Sequence, residues 1–240
     1  VLSEIAMMKL LADSIISYCL YLLFLFHVFL YCKYRNVTID EAMVQLKMLV
    51  QGDDNAGAHV GKPDIPWQEG MGKLGFESKA VYRASPTDLE FCSMRLYPVD
   101  MGYVFGPKPG KVLAKFGYII NPPNVSRESL MRGIALGLRN QVDFIPPLRA
   151  VVDRVVALTE GHKAVEIRKF EGHLLKYTSV KVDHSKPALM CALYEQYGWD
   201  FHYQGLWEKT LSTMQLGDAY DFPLVELLFD RDTSGPQQIF

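Results

Sequence analysis

Cysteine is scarce here, and none of it is placed for the usual cysteine functions. Cys19, Cys32, Cys92 and Cys191 show neither metal-ligand spacing nor the density of a secreted disulfide scaffold. That excludes a zinc module and a stapled miniprotein, and it points to a reducing compartment. Charge of one sign is also lacking. The net formal charge is −2 over 240 residues, so bulk basicity does not announce a polyanion. Repeats and low-complexity tracts are absent, which removes solenoids and linker arrays. No G-x-S-x-G elbow and no H-E-x-x-H helix occurs, and the six histidines are scattered. Val1–Lys9 lacks the basic start and small-residue cleavage site of a signal peptide. The sequons at Asn36 and Asn124 have no meaning in a cytosolic chain.

Two nucleotide-binding patterns fail on context. Gly70-Met71-Gly72-Lys73-Leu74-Gly75 satisfies G-x-G-x-x-G, but it closes a helix after Pro63 and Pro66 instead of linking a buried strand to a helix. Gly57–Lys62 is one residue short of a phosphate-binding loop, and Pro63 stands where a hydroxyl should be.

Apolar residues make up 49% of the chain, enough for a sizeable core in one or two domains. The chain opens at Val1 and enters a hydrophobic stretch at once, which predicts a fragment with an upstream part. Ile15–Cys32 is an apolar run of about 18 residues followed by Lys33 and Arg35. It reads either as a membrane span or as a helix enclosed by protein, with Asp13 before it and His27 inside it. Thr38-Ile39-Asp40-Glu41 predicts a capped helix start. A strand over Lys47–Val50, a short helix from Trp67 to Leu74, strands over Ser78–Ala84 and Leu89–Leu96, and a hairpin through Tyr103–Phe105 follow. Beyond Asn121-Pro122-Pro123 the texture turns helical, over Ser126–Asn140, Pro147–Glu160 and Ala188–Tyr197. The fold class is therefore α+β, with a boundary near 121 and a polar, loose tail over Asp232–Gln238. Between Gly72 and Arg139 there are 10 Lys/Arg against 5 Asp/Glu, a basic middle that suits a polyanion or an ordinary solvated face.

Gln51-Gly52-Asp53-Asp54-Asn55 lies between Met48-Leu49-Val50 and Ala56-Gly57-Ala58-His59-Val60. Apolar, turn, apolar predicts a β-hairpin with two carboxylates at its tip. Such carboxylates suit hard divalent cations, and a pair of such ions can hold the attacking and leaving oxygens of a phosphoryl transfer. Taken alone, the triplet is more commonly a solvated Asx turn.

The order of parts carries more. Gly52-Asp53-Asp54 is followed by a short helix, by Gly75-Phe76-Glu77-Ser78-Lys79, by Leu89-Glu90-Phe91-Cys92-Ser93 and a hairpin, and then by helices. This resembles the RNA-dependent RNA polymerases of positive-strand RNA viruses, from their motif C through D and E into the thumb. The resemblance covers about Ala12 to Pro123. It implies an antiparallel palm over 1–120 and a helical thumb over 121–240, and template-directed RNA synthesis with Mg²⁺ or Mn²⁺.

The resemblance makes Asp53 the metal-binding carboxylate, with Asp54 supporting it and Gly52 permitting the turn. Lys79 resembles the motif D lysine that protonates the pyrophosphate leaving group. Phe91, Cys92 and Ser93 resemble the primer grip. Arg95, Lys108, Lys111 and Lys115 are candidate phosphate contacts. Ala12-Asp13-Ser14 resembles the end of the motif B helix, with Asp13 where the family has a ribose-sensing Asn. If so, the apolar run is a buried palm helix. Motif A, with the other metal-binding Asp, does not occur in the chain. The implied partners are RNA template and primer or nascent strand, nucleoside triphosphates, and the upstream fingers and motif A/B portion of the same polyprotein. The implied place is the host cytoplasm, at membrane-associated replication sites. Two rivals stand beside this: a single-span membrane protein with a soluble α+β domain, and a non-catalytic RNA-binding module.

Overall fold

The computed structural model describes residues 21–51, 54–100, 102–119, 124–165, 187–218 and 222–233. Asp13, Gly52 and Asp53 lie outside them, as does the start of the apolar run. The chain forms two compact units, Val1–Cys92 and Ser93–Phe240, so the division falls earlier than the change of texture near 121.

In the first unit, helix α1 covers 21–35 and ends at Asn36, whose φ of 54° reverses the chain without glycine. Helix α2, Ile39–Gln45, starts as its sequence predicts. The Glu41 backbone N–H donates to Thr38 Oγ1 at 3.3 Å, and the Thr38 N–H donates to Glu41 Oε2 at 2.8 Å. Strands β1 (Leu46–Gln51) and β2 (Asp54–His59) pair antiparallel, with Leu46 opposite His59 and Gln51 opposite Asp54. Val28, Tyr31, Ala42, Leu46 and Ile65 form the core against which α1 and the hairpin pack. Tyr31 anchors the base of the hairpin, donating to Val60 O at 2.9 Å or Gln45 Oε1 at 3.0 Å. Among the described residues no helix is long and apolar enough to cross a membrane. The described part of the apolar run instead divides by face: His27, Val28, Leu30 and Tyr31 are buried, while Tyr21, Leu25 and Phe29 are exposed.

Helix α3, Trp67–Lys73, lies on α1, where Gly70 sits so close to Leu30 that a Cβ would collide with it. The first two glycines of the G-x-G-x-x-G pattern thus lie inside a helix, and Gly75 follows it with φ 84°. The strand expected over Ser78–Ala84 does not form. Tyr82 in that stretch accepts the Trp67 indole N–H on its hydroxyl at 2.8 Å, and no neighbouring strand offers its backbone a ladder. After a 3₁₀ turn at Pro86–Asp88, strand β3 covers only Glu90–Phe91. The strand expected over Leu89–Leu96 is interrupted because Cys92 and Ser93 both take positive φ, 50° and 62°.

The second unit opens with a hairpin, β4 (Met94–Val99) and β5 (Gly102–Pro107), with Val99 opposite Gly102. Among the described residues six helices follow: α4 Pro109–Lys115, α5 Arg127–Val142, α6 Pro146–Leu158, α7 Pro187–Tyr197, α8 Phe201–Thr213 and α9 Pro223–Thr233. Proline at the first turn of α6 fits because that N–H needs no partner. At the other end Arg132 Nη1 donates to the Val156 and Thr159 carbonyls at 3.0 and 3.1 Å, capping orphan acceptors. Trp199, Trp207 and Phe222 meet edge-on or tilted at 5.3–6.3 Å, and each indole N–H finds an acceptor, Gln204 Oε1 at 2.8 Å and Pro147 O at 3.0 Å. Tyr97 of β4 meets Phe144 at 5.7 Å, which fastens the hairpin to this core.

His27 is the titratable weak point of the first unit. It stacks on Trp67 at 5.2 Å, its Nδ1 lies 2.7 Å from Leu23 O, and burial holds its imidazole below the ordinary 6.5. The unfolded residue takes up a proton near 6.5 while the folded one resists. The His27 contribution is therefore intact above that pH and is lost as pH falls below it. Thermal unfolding should show a destabilising acid limb below about pH 6.5, weakened in His27→Phe. An identical limb in the variant would assign it to other groups.

Candidate active site at the hairpin tip

Register places Gln51 and Asp54 opposite each other, with only Gly52 and Asp53 between them in sequence. Both flanking residues reach the same neighbour. The Cys92 backbone N–H donates to Asp54 Oδ2 at 3.1 Å, and the Cys92 thiol lies 3.5 Å from Gln51 Oε1. β2 also packs against β3, which carries Phe91. Thus the acidic hairpin and the Phe-Cys segment, 38 residues apart at this bond, meet in one place. Cys92 takes φ 50°, a conformation that costs a non-glycine residue of the order of 1 kcal/mol.

Asp54 is exposed. Carboxylate oxygens match a hard divalent cation in kind. In number they do not complete a site: among the described residues no group of three His, Cys, Asp or Glu is placed to hold a metal. A two-metal centre needs carboxylates from more than one strand.

Lys79 is exposed in a stretch without regular structure. Ser93 is exposed and lies in the second unit, as do the candidate phosphate contacts, which divide by environment. Lys115 is exposed in the last turn of α4 and Lys111 is half-buried, whereas Lys108 is buried just before the helix. Arg95 faces inward. Its Nε lies 3.9 Å from Asp232 Oδ1, and its guanidinium sits 5.2 Å from the centre of the Tyr197 ring.

Asp232 itself overturns an expectation. Placed by sequence in a loose tail, it ends up 2% exposed on α9. Its Oδ2 accepts from the Gly110 and Lys111 backbone N–H groups at 2.6 and 3.3 Å, and its Oδ1 accepts from the Tyr197 hydroxyl at 2.7 Å. Burial pushes its carboxyl above the usual range, opposed by these donors and by Arg95. Burial also pushes the Tyr197 hydroxyl upward, which keeps it a donor. The apolar spacing of Leu224, Val225 and Leu228 was the sequence signal for α9, and Asp200 before Phe201 was the cap signal for α8.

Compared with known proteins, the chain matches no family model, no curated protein and no solved structure.

Asp54→Ala should release the Cys92 amide and raise its hydrogen-exchange rate by up to about tenfold, while Asp54→Asn, which keeps an acceptor, should preserve most of the protection. Equal exchange in all three proteins would show that the carboxylate does not hold the turn.

Proposed function

We propose that the chain is the later palm and the thumb of an RNA-dependent RNA polymerase of a positive-strand RNA virus. The observation that carries this reading is the bond from the Cys92 amide to Asp54. It joins the hairpin that carries Asp54 to the Phe91-Cys92 segment, the two parts that must cooperate if one presents metal ligands and the other steadies a primer end. The mixed α+β architecture with small antiparallel sheets and many helices supports the same reading at a coarser level.

In this mechanism the primer 3′-hydroxyl oxygen attacks the α-phosphorus of a nucleoside triphosphate, and the bond to pyrophosphate breaks. When bound, Mg²⁺ or Mn²⁺ would make the hydroxyl easier to deprotonate, its proton passing to solvent, and would ease release of the polyanion. Asp53 and Asp54 would hold one edge of that ion pair. Asp54 spends one oxygen on the Cys92 amide, which orients its carboxylate and couples it to the turn. Lys79, exposed and cationic, would give its proton to the departing pyrophosphate. Lys111 and Lys115 would meet phosphates of the RNA from α4, while Arg95, held by Asp232, shapes the ribbon from within. The upstream fingers and the strand with the other Asp complete the centre, and RNA template, nascent strand and nucleoside triphosphates are the partners. The place of action is the host cytoplasm at membrane-associated replication sites.

Joined to its upstream part, the Asp53→Asn protein should lose nucleotide incorporation by more than about 1,000-fold and bind template almost as before. Filter binding and primer extension on the same preparations measure both, and a parallel loss of binding would assign Asp53 to folding.

The 240-residue chain alone should extend no primer, because it supplies carboxylates from one hairpin only. Metal-dependent extension by the purified chain would contradict this division of the active site.

A further inference from the structure

Helix α4 begins with a problem that its own sequence does not solve. Its N-cap is Lys108, whose side chain makes no cap hydrogen bond, and Pro109 occupies the first turn. The amides of Gly110 and Lys111 therefore lack a local acceptor. Asp232 supplies one from α9, 122 residues away from Gly110. Gly110 is what allows this approach, since a Cβ there would collide with the Leu228 backbone of α9. The other oxygen of the same carboxylate faces Tyr197 of α7 and Arg95 of β4. One buried anion thus joins a strand and three helices, and Arg95 brings it the positive charge that a buried carboxylate requires.

We propose that Asp232 is a positioning residue that sets the β4–β5 ribbon on α4, α7 and α9, and that the final described helix is thereby part of the machinery that holds the nascent RNA end. This rests on the polymerase reading, in which the ribbon continues directly from the Cys92–Ser93 turn. A carboxylate suits the task better than an amide. It accepts from two amides and a hydroxyl while neutralising a guanidinium, whereas the Asn side chain offers a single acceptor oxygen and places an NH₂ against a donor or the cation.

The test has two arms. In the 240-residue chain, Asp232→Asn should accelerate hydrogen exchange at Gly110 and Lys111 by at least about tenfold and loosen β4 and β5, leaving α5 and α6 unchanged. Tyr197→Phe, which removes a single donor and retains the ring under Arg95, should give a smaller change at the same amides and guards against a variant that does not fold. In the chain joined to its upstream part, Asp232→Asn should raise the KM for primer–template about tenfold with kcat nearly unchanged, and Tyr197→Phe should follow partway. Uniform loss of protection across the helices, or none, would overturn the latch. Local loosening with an unchanged KM would overturn its role in holding RNA and leave the polymerase reading standing. If the wild-type joined protein extends no primer under any divalent metal, that reading fails and the role of the latch in RNA synthesis falls with it.

Discussion

The candidate site depends on a hydrogen bond between a side chain and a backbone group that are far apart in sequence. Asp54 begins the second strand of a hairpin, and Cys92 follows a strand only two residues long. β2 and β3 pack against each other. The 3.1 Å contact between Asp54 Oδ2 and the Cys92 amide adds direction to that packing, because an acceptor and an N–H donor bind well only when aligned. Cys92 and Ser93 both take left-handed backbone. Strain at a turn and charge on a hairpin are each unremarkable alone. Together they bring two functional candidates to one location, at an exposed aspartate.

The second unit is organised on a different principle. Its aromatic core around Trp199, Trp207 and Phe222 gains most from apolar burial, which is nondirectional, although both indole N–H groups are bonded. Asp232 is directional. Its carboxylate would be costly to bury alone, and it is made tolerable by the amides of α4, the Tyr197 hydroxyl and the Arg95 guanidinium. Such a network specifies one arrangement of strand and helices among several that a greasy interface would accept. Arg95, which by sequence stood among the phosphate contacts, spends its charge here.

Local signals were legible where they acted locally. Thr38 and Glu41 announced a helix start, apolar runs on either side of Gly-Asp-Asp announced a hairpin, and the prolines that open α6 and α7 lie where helices were expected to begin. The expected strand over Ser78–Ala84 failed for the opposite reason. Strand formation needs a neighbour to accept its ladder, and Tyr82 is engaged through its side chain with Trp67 instead. The expected strand through Cys92 failed because nothing in Phe-Cys-Ser-Met reveals two consecutive positive φ angles. Asp232 was taken for tail because a charged residue near a polar terminus is normally solvated, and its partners lie 121, 122 and 35 residues away.

The amino-acid order by itself determined the capped start of α2, the β1–β2 hairpin and the helices α5, α6 and α7. These follow from short-range chemistry: caps, alternation, glycine and proline. Only the tertiary structure decided that Asp54 meets Cys92, that Arg95 turns inward, and that a carboxylate from α9 begins α4. Those are contacts between groups separated by tens of residues, and their partners are chosen by packing and by the need to satisfy buried polar atoms, which no local window of sequence contains.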